Sequence, residues 1–180
     1  MSLEKITKHL SSNKMISKDK MPPVESWDPE YSGEMDLQIK SNGDWFYQGT
    51  IFKRASLVKL LASVLKMEDE EYYLVTPIEK MKITVDDAPF VLTEWYWQDE
   101  LQTTMCVKNN IGDEFILDSK HPLSVNKAGE LYVTVRRNLL AKVHRNVYYQ
   151  WIDLAKEIST KNGTKLIFIS AECEFSLGTI

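Results

Sequence analysis

One order of structural elements occurs twice in this sequence, and it constrains the fold more than any other feature. A turn, Gly43-Asp44 in the first copy and Gly129-Glu130 in the second, leads into a strand, then arginine, an amphipathic helix and a further strand. The two turns lie 86 positions apart, counted from Gly43 to Gly129. Because each helix needs a sheet against which to bury its apolar face, the repeat predicts two topologically similar lobes. We expect a strand-rich α+β fold in which each lobe is a curved, barrel-like antiparallel sheet with one packed helix.

Apolar spacing predicts the two helices. Leucines and valines recur at helical spacing over residues 56–67. Over residues 138–160 the apolar positions are three or four apart, at Leu140, Val143, Val147, Trp151, Leu154 and Ile158. Asn138 is the predicted N-cap of this long helix, and Asn162-Gly163 is its predicted end. We expect the helices to pack on different sheets, with Trp151 buried.

Alternation of apolar and polar residues predicts the strands. Residues 35–39 and 45–52 flank an Asn42-Gly43 hairpin turn. Further predicted strands are 72–75, 81–85, 89–98, 101–108, 114–117, 131–135, 165–169 and 173–177. The chain is thereby divided into an N-terminal helix and loop over residues 1–21, an N-terminal lobe over 22–78 and a C-terminal lobe over 79–180.

Composition excludes several classes of protein. Hydrophobic residues make up 43% of the chain, which is too many for a disordered segment. No run of about 18 apolar residues occurs, so we expect no membrane partner. The net charge of −4, without a basic tail, argues against a nucleic-acid partner. The N-terminus lacks the apolar core of a secretory signal, and Cys106 and Cys173 lack disulfide or metal spacing, so a cytoplasmic location is expected.

Signature motifs of nucleotide-binding and hydrolytic enzymes do not occur in the sequence. It contains no GxGxxG, GxxxxGK[ST], GxSxG or HExxH segment. We therefore expect no cofactor, no bound metal and no catalytic residue of these enzyme classes.

Three acidic residues are the nearest the sequence comes to a carboxylate cluster. Glu79, Asp86 and Asp87 can share a proton or bind a hard cation if their side chains converge. Adjacent residues of a strand point to opposite faces, so Asp86 and Asp87 converge only if a turn begins there. The alternative is that Asp87 caps a turn and Asp86 pairs with an arginine.

His121 precedes a proline, which favours an extended backbone at this position. A histidine of this kind can act as a general base. No nucleophile motif accompanies it, so a hydrogen-bonded turn residue is the alternative.

Basic residues supply the strongest prediction of a binding site. Residues 131–152 contain no carboxylate, and Lys142, Arg145 and Tyr149 fall on the face of the predicted long helix opposite its apolar stripe. Such a strip suits a phosphate or a carboxylate, and a solvated helix face is the alternative.

Arg54 and Arg136 occupy equivalent places in the two repeats, between a strand and a helix. Arginine can hold a carboxylate through two parallel hydrogen bonds. We expect one of these arginines to pair with one of the three acidic residues between the lobes, leaving the other available to an anionic ligand.

Five short segments carry a family resemblance. They are residues 43–49 (Gly-Asp-Trp-Phe-Tyr-Gln-Gly) with Ile51 and Arg54, residues 72–79 (Tyr-Tyr-Leu-Val-Thr-Pro-Ile-Glu), residues 85–90 (Val-Asp-Asp-Ala-Pro-Phe), His121-Pro122-Leu123, and Val135-Arg136 with residues 139–149. Together they resemble the bacterial family known as domain of unknown function 1285, over roughly residues 22–178.

The resemblance carries expectations about structure and role. Near the C-terminus the family shows Ser-x-Gly-x-x-Phe-x-Leu-Gly, which this chain matches except that Glu172 stands at the first Gly position. The resemblance implies two similar lobes, each a small barrel-like sheet with a helix, reminiscent of pleckstrin-homology architecture. It implies no activity, and it suggests a role in bacterial regulation or signalling.

These observations favour a cytoplasmic, non-catalytic module that binds a small anionic ligand or a protein partner where the lobes meet. The expected ligand-binding residues are Arg54, Glu79, Asp86, Asp87, His121, Arg136 and Arg145. The alternative is a small hydrolase-type enzyme that uses His121 with Glu79 or Asp86. A purely structural subunit of an assembly is a third hypothesis, and assembly into a homo-oligomer is left open.

Overall fold

The computed structural model describes residues 7–8, 21–161 and 163–179. The chain forms two compact units, Met1–Asp87 and Ala88–Ile180. The sequence predicts a division after residue 78, nine residues before this boundary. Residues 80–85, which that division assigns to the second lobe, pair within the first sheet. Thr7 and Lys8 are helical, and most of the helix and loop predicted over residues 1–21 lies outside the described residues.

The first unit contains one six-stranded sheet and one helix. Its elements in chain order are β1 (Tyr31–Ile39), β2 (Trp45–Tyr47), β3 (Thr50–Ile51), α1 (Ala55–Ser63), β4 (Leu65–Glu68), β5 (Glu71–Val75) and β6 (Lys80–Val85). The strand order is β3-β2-β1-β6-β5-β4. Buried apolar residues alternate along β1 at Met35, Leu37 and Ile39, so one face of the strand forms core, as the sequence pattern predicts.

The second unit contains a six-stranded sheet, a helix and a three-stranded sheet. Its elements are β7 (Phe90–Trp97), β8 (Met105–Asn109), β9 (Glu114–Ile116), β10 (Leu123–Val125), β11 (Leu131–Arg136), β12 (Leu139–Val143), α2 (Arg145–Leu154), β13 (Lys156–Thr160), β14 (Gly163–Ser170) and β15 (Cys173–Thr179). The strand orders are β10-β11-β12-β7-β8-β9 and β13-β14-β15.

The two six-stranded sheets share one topology. Each consists of two antiparallel three-stranded meanders, and the first strand of one meander pairs in parallel with the last strand of the other, as β1 does with β6 and β7 with β12. An offset of 59 residues separates the start of β1 from that of β7, and also the start of β6 from that of β12. The predicted α+β fold with two similar lobes is therefore confirmed, with one parallel pair at the centre of each otherwise antiparallel sheet.

The two helices occupy different places in the two similar sheets, which the predicted repeat does not allow for. Helix α1 connects the two meanders of the first sheet, whereas α2 follows the sixth strand of the second. Arg54 immediately precedes α1, but Arg136 ends β11 and leads through a tight turn, with Arg137 at φ +53°, into β12. The predicted equivalence of Arg54 and Arg136 is therefore wrong.

Both predicted helices are too long. Helix α1 ends at Ser63, because the following residues, Leu65–Glu68, pair with β5. The long helix predicted over 138–160 is strand, helix and strand: Leu139–Val143 pairs with β7 and β11, and Lys156–Thr160 pairs with β14. His144, rather than Asn138, caps α2 by accepting a hydrogen bond from the N–H of Asn146.

The second sheet curls until its two ends approach each other. Strands β9 and β10 lie at opposite ends of the strand order. Phe115 of β9 nevertheless packs against His121, two residues before β10, with ring centroids 4.3 Å apart. The two ends of the strand order therefore lie close together, as expected for the barrel-like curvature that the sequence predicts.

The three-stranded sheet closes the core of the second unit. Trp151 of α2 is fully buried against Phe168 of β14, whose ring stacks on Phe175 of β15. The buried hydroxyl of Ser170 donates to the carbonyl of Leu117 (2.7 Å) and accepts from the N–H of Met105 (2.9 Å). From the end of β14, Ser170 therefore satisfies one backbone group of β8 and one of the residue that follows β9.

Replacing Trp151 tests the packing of α2. Because its side chain is fully buried, Trp151→Ala should lower the free energy of unfolding by about 3–5 kcal/mol in chemical denaturation. Tyr149→Ala is the matched control on the same helix, since Tyr149 is 49% exposed and its replacement should cost less than about 1 kcal/mol. Equal losses in the two variants would contradict this helix orientation.

Glu172, which departs from the family pattern, lies in the turn between β14 and β15, and replacing it tests whether this turn is strained. Ala171 and Glu172 have φ values of +47° and +62°, a left-handed pair that favours glycine in a two-residue hairpin turn. Glu172→Gly should raise the free energy of unfolding by about 1 kcal/mol by relieving this strain. Glu172→Ala retains the Cβ atom and should give no such gain, so stabilisation by alanine and not by glycine would refute the argument.

Candidate anion-binding site

An open cavity of about 370 Å³ lies in the second unit, a volume suited to a small molecule. It is bounded by the β10–β11 hairpin, the end of β12 and the first turn of α2. Its polar and aromatic lining consists of Glu130, Lys142, Arg145, Tyr148 and Tyr149. Three of these, Lys142, Arg145 and Tyr149, form the predicted basic strip, although Lys142 is on a strand and not on the helix.

Asn126 shapes the hairpin wall of the cavity. Its side-chain oxygen accepts hydrogen bonds from the N–H groups of Ala128 and Glu130, both at 2.9 Å. Gly129 completes the turn at φ +80°, a conformation that residues with a Cβ atom rarely adopt. Glu130 is therefore held directly before β11, with its carboxylate in contact with Lys142 of β12.

Glu130 is the centre of a hydrogen-bonded group on this wall. Its carboxylate accepts from Lys142 Nζ (2.7 Å), Asn126 Nδ2 (2.8 Å) and Tyr132 Oη (3.2 Å). The hydrogen bond from Lys142, followed by the one from Asn126, lowers the pKa of Glu130. The positive charge of Lys142 is thus balanced by a neighbouring carboxylate.

Arg145 is the cation that faces the cavity from the helix. As the first residue of α2 it is exposed, and its Nε donates to Tyr149 Oη (3.0 Å) one turn along the helix. Its guanidinium carbon lies 5.3 Å from the centroid of the Tyr149 ring. Its two terminal nitrogens make no hydrogen bond or ion pair with the described residues, so both can donate to a ligand.

Two tyrosines extend the site with aromatic surface. The rings of Tyr148 and Tyr149 meet edge to face with centroids 5.8 Å apart. Tyr149 accepts from Arg145 through its hydroxyl oxygen, so its hydroxyl hydrogen can still donate. The wall can therefore bind an anionic group and contact a planar or apolar group beside it.

Four of the predicted site residues belong to the first unit. Arg54 is exposed, and Asp86 contacts Gln38 (2.8 Å) and Lys40 (3.4 Å) rather than an arginine. Glu79 lies in a turn where its N–H donates to Thr76 Oγ1, and its Oε2 is buried without a hydrogen bond among the described residues. Asp87 is half-buried near Tyr72, whose pKa is raised by burial and then by the charge of Asp87.

Arg136, the last residue of β11, and His121, which contacts β11 through Thr134, both belong to the second unit but not to the cavity lining. Arg136 donates to Asp113 (2.8 Å) and covers the ring of Phe90 at 4.8 Å, and burial lowers its pKa. His121 Nδ1 lies 2.9 Å from the carbonyl oxygen of Thr134, so this nitrogen carries the proton. Both side chains thus hold the curled sheet together.

The predicted site set has one member in the cavity, Arg145, and omits Glu130 and Tyr148. The sequence does contain a signal for Glu130. It lies four residues after Asn126, in a turn that ends Gly-Glu, and at this spacing an asparagine side chain can hydrogen-bond across the turn. Tyr148 carried no such signal, because its exposure depends on where the helix begins.

Two classes of feature do not occur in the part of the chain that the structure describes. No group of three or more His, Cys, Asp or Glu side chains is placed to hold a metal ion. None of the helices formed by these residues has the length and apolarity needed to cross a membrane.

Comparisons with known proteins agree with the two-unit architecture. Residues 22–88 match the family model described as "Domain of unknown function (DUF1285), N-terminal domain". Residues 89–177 match the model described as "Protein of unknown function (DUF1285), C-terminal domain". No curated protein is significantly similar to this chain.

Two solved structures are similar to this one. A DUF1285 family protein from Silicibacter pomeroyi DSS-3 is 32% identical, with a TM-score of 0.79, and the match covers 96% of this chain and 95% of that chain. A DUF1285 family protein from Shewanella baltica OS155 is 29% identical, with a TM-score of 0.56, and the match covers 66% of this chain and 91% of that chain.

The pKa of Glu130 tests the geometry of the hairpin wall. Because that pKa is lowered in the folded state, the contacts of Glu130 stabilise the fold above its unfolded pKa and are lost as the pH falls through its folded pKa. Carboxyl titration by NMR should show the pKa of Glu130 returning toward its ordinary value in Lys142→Met. Lys127→Met, a change at an exposed lysine in the same turn, should leave it in place. The geometry is wrong if the two variants titrate alike.

Proposed function

The chain belongs to the DUF1285 family, and we propose that its C-terminal unit is a non-catalytic module that binds a small anionic ligand in the cavity at the start of α2. The observation that carries this proposal is the placement of Arg145. Its side chain lines the open cavity, and its Nε donates to Tyr149, which leaves the two terminal nitrogens able to donate to a ligand.

The chemistry of the wall favours an anion with two acceptor oxygens. The hydrogen bond from Nε to Tyr149 already restricts the Arg145 side chain, so binding a ligand costs little further conformational entropy. A phosphate or carboxylate can then accept two parallel hydrogen bonds from the terminal nitrogens. The amino end of α2 adds favourable partial charge at the same place. Lys142 contributes less, because Glu130 already balances its charge.

The aromatic lining favours a ligand with a planar group beside its anionic group. Tyr149 presents a half-exposed ring next to the guanidinium, and Tyr148 meets it edge to face. A ring placed there gains apolar contact with both tyrosines, and the Tyr149 hydroxyl can donate to the anionic group beside it. An aromatic phosphate should therefore bind more tightly than an alkyl phosphate of equal charge.

A binding role is favoured over hydrolysis by the environment of His121. A general base needs an accessible nitrogen near the reacting group. One His121 nitrogen is directed at the Thr134 carbonyl, and the ring packs against Phe115. These contacts support a structural role for His121. The proposal extends to a cytoplasmic location, which the free thiols of Cys106 and Cys173 support, and to a regulatory role in which ligand occupancy is the signal.

Isothermal titration with phenyl phosphate and methyl phosphate tests the proposal. Phenyl phosphate should bind with the higher affinity, and Arg145→Lys should weaken its binding by about tenfold, since lysine cannot reproduce two parallel hydrogen bonds. Tyr149→Phe should also weaken binding, because it removes the acceptor that orients the Arg145 Nε.

Arg54→Lys is the matched control, since it makes the same change at an exposed arginine that precedes the other helix. It should leave the affinity for phenyl phosphate unchanged. A loss in Arg54→Lys with none in Arg145→Lys would move the site out of this cavity and overturn the proposal. Binding that neither variant affects, or no heat of binding in the parent protein, would overturn it as well.

A further inference from the structure

The charged side chains that line the cavity leave a single positive charge unbalanced. Glu130 carries one negative charge, and Lys142 and Arg145 carry one positive charge each. The remaining lining residues that the structure describes carry no formal charge. Because Lys142 is paired with Glu130, the guanidinium of Arg145 is the cation left to bind an anion.

Glu130 places a negative charge on the hairpin wall of the same cavity. The hydrogen bond from Lys142, followed by the one from Asn126, lowers its pKa, so the carboxylate is ionised at neutral pH. Arg145 makes no ion pair with the described residues, so it does not neutralise this carboxylate directly. The hairpin wall and the helix wall therefore carry separate charges.

The size of the cavity brings a bound anion within range of both walls. A sphere with the cavity's volume of about 370 Å³ is about 9 Å across, close to the Debye length of about 8 Å at physiological salt. Charges at such a separation are only partly screened. An anion held by Arg145 is therefore still repelled by the carboxylate of Glu130.

The cost of removing a ligand from water rises more steeply with its charge than its attraction to the wall does. Attraction to one unbalanced cation is proportional to the charge of the ligand, whereas the hydration free energy lost on binding rises with the square of that charge. A second negative charge also doubles the repulsion from Glu130. A ligand with one negative charge therefore suits this wall better than a ligand with two.

Resting on the function proposed above, we propose that the ligand carries one negative charge shared by two oxygens, and that Glu130 disfavours doubly charged ligands. Carboxylates and phosphodiesters have this chemistry, and both oxygens can accept from the terminal nitrogens of Arg145. A phosphomonoester adds a second charge that finds no further unbalanced cation on this wall. Glu130 thus determines specificity through its charge rather than through a hydrogen bond to the ligand.

The charge of Glu130 can be removed without disturbing the turn that holds it. Asn126 Oδ1 fixes the turn by accepting from the backbone N–H groups of Ala128 and Glu130, and these bonds do not involve the Glu130 side chain. In Glu130→Gln the amide oxygen can still accept from Asn126 and Tyr132. The thermal midpoint of this variant should stay near that of the parent, because exposed ion pairs contribute little to stability.

Isothermal titration with phenyl phosphate and methyl phenyl phosphate tests the proposal. At about pH 8 the monoester carries two negative charges and the diester one. The parent should bind the diester more tightly. Glu130→Gln leaves the charge of Lys142 unbalanced, so it should shift the preference toward the monoester by about threefold, the effect of one unit charge across the cavity. Glu100→Gln, the same change at an exposed glutamate outside the lining, should not alter the preference.

A double variant separates charge from shape. Lys142→Met should shift the preference toward the diester, and Glu130→Gln combined with Lys142→Met restores a single positive charge, so the preference should return to near that of the parent. If Glu130 acts only by shaping the hairpin, Glu130→Gln changes both affinities alike and the proposal is overturned. Tighter binding of the monoester by the parent would also overturn it, while the function proposed above would stand. Failure of both ligands to bind would overturn both.

Discussion

The parallel pairing at the centre of each six-stranded sheet, β1 with β6 and β7 with β12, is the interaction on which the rest of the structure depends. It joins Gly33 to Met81 in the first sheet and Phe90 to Ala141 in the second, each pair about fifty residues apart in sequence. Each three-stranded meander can form from local turns, but the complete sheet requires this long loop to close. Burial offsets that entropy cost: Phe90 and Ala141 are fully buried, and Met81 is 1% exposed.

The same pairing positions the cavity. Val143 pairs with Leu92 at the end of β12, and the N–H of His144 then donates to the Leu92 carbonyl (2.9 Å). The chain can leave the sheet only after this bond, so α2 begins at Arg145. The guanidinium therefore reaches the cavity because a buried strand pair fixes where the helix starts, while the hairpin of Asn126 and Glu130 forms the facing wall.

Local patterns predicted what depends on local physics. Alternation identified β1, and the Asn42-Gly43 turn is present, with Gly43 donating to the Lys40 carbonyl at φ +87°. The apolar stripe correctly predicted that Trp151 is buried, because Val147 and Trp151 do share one helix face. The fold class followed, since alternating strands and two amphipathic segments permit few architectures.

Non-local pairing set the limits of prediction. The segment Leu139–Val143 fits a helical stripe and a buried strand equally well, and only its pairing with β7 decides between them. Reading it as helix moved the expected helix start from Arg145 to Asn138, and it made Arg136 appear equivalent to Arg54. The basic strip was nevertheless correctly grouped in part, because Arg145 and Tyr149 are four residues apart within the true helix.

The most direct test of the central claim, that the cavity at the start of α2 is a binding site, is an amide chemical-shift titration with phenyl phosphate. The account predicts that perturbed N–H signals cluster at residues 126–131 and 142–149, which form the two walls of the cavity. Saturable perturbations centred on the first unit or around His121, with the signals of Arg145 and Tyr149 unchanged, would contradict it.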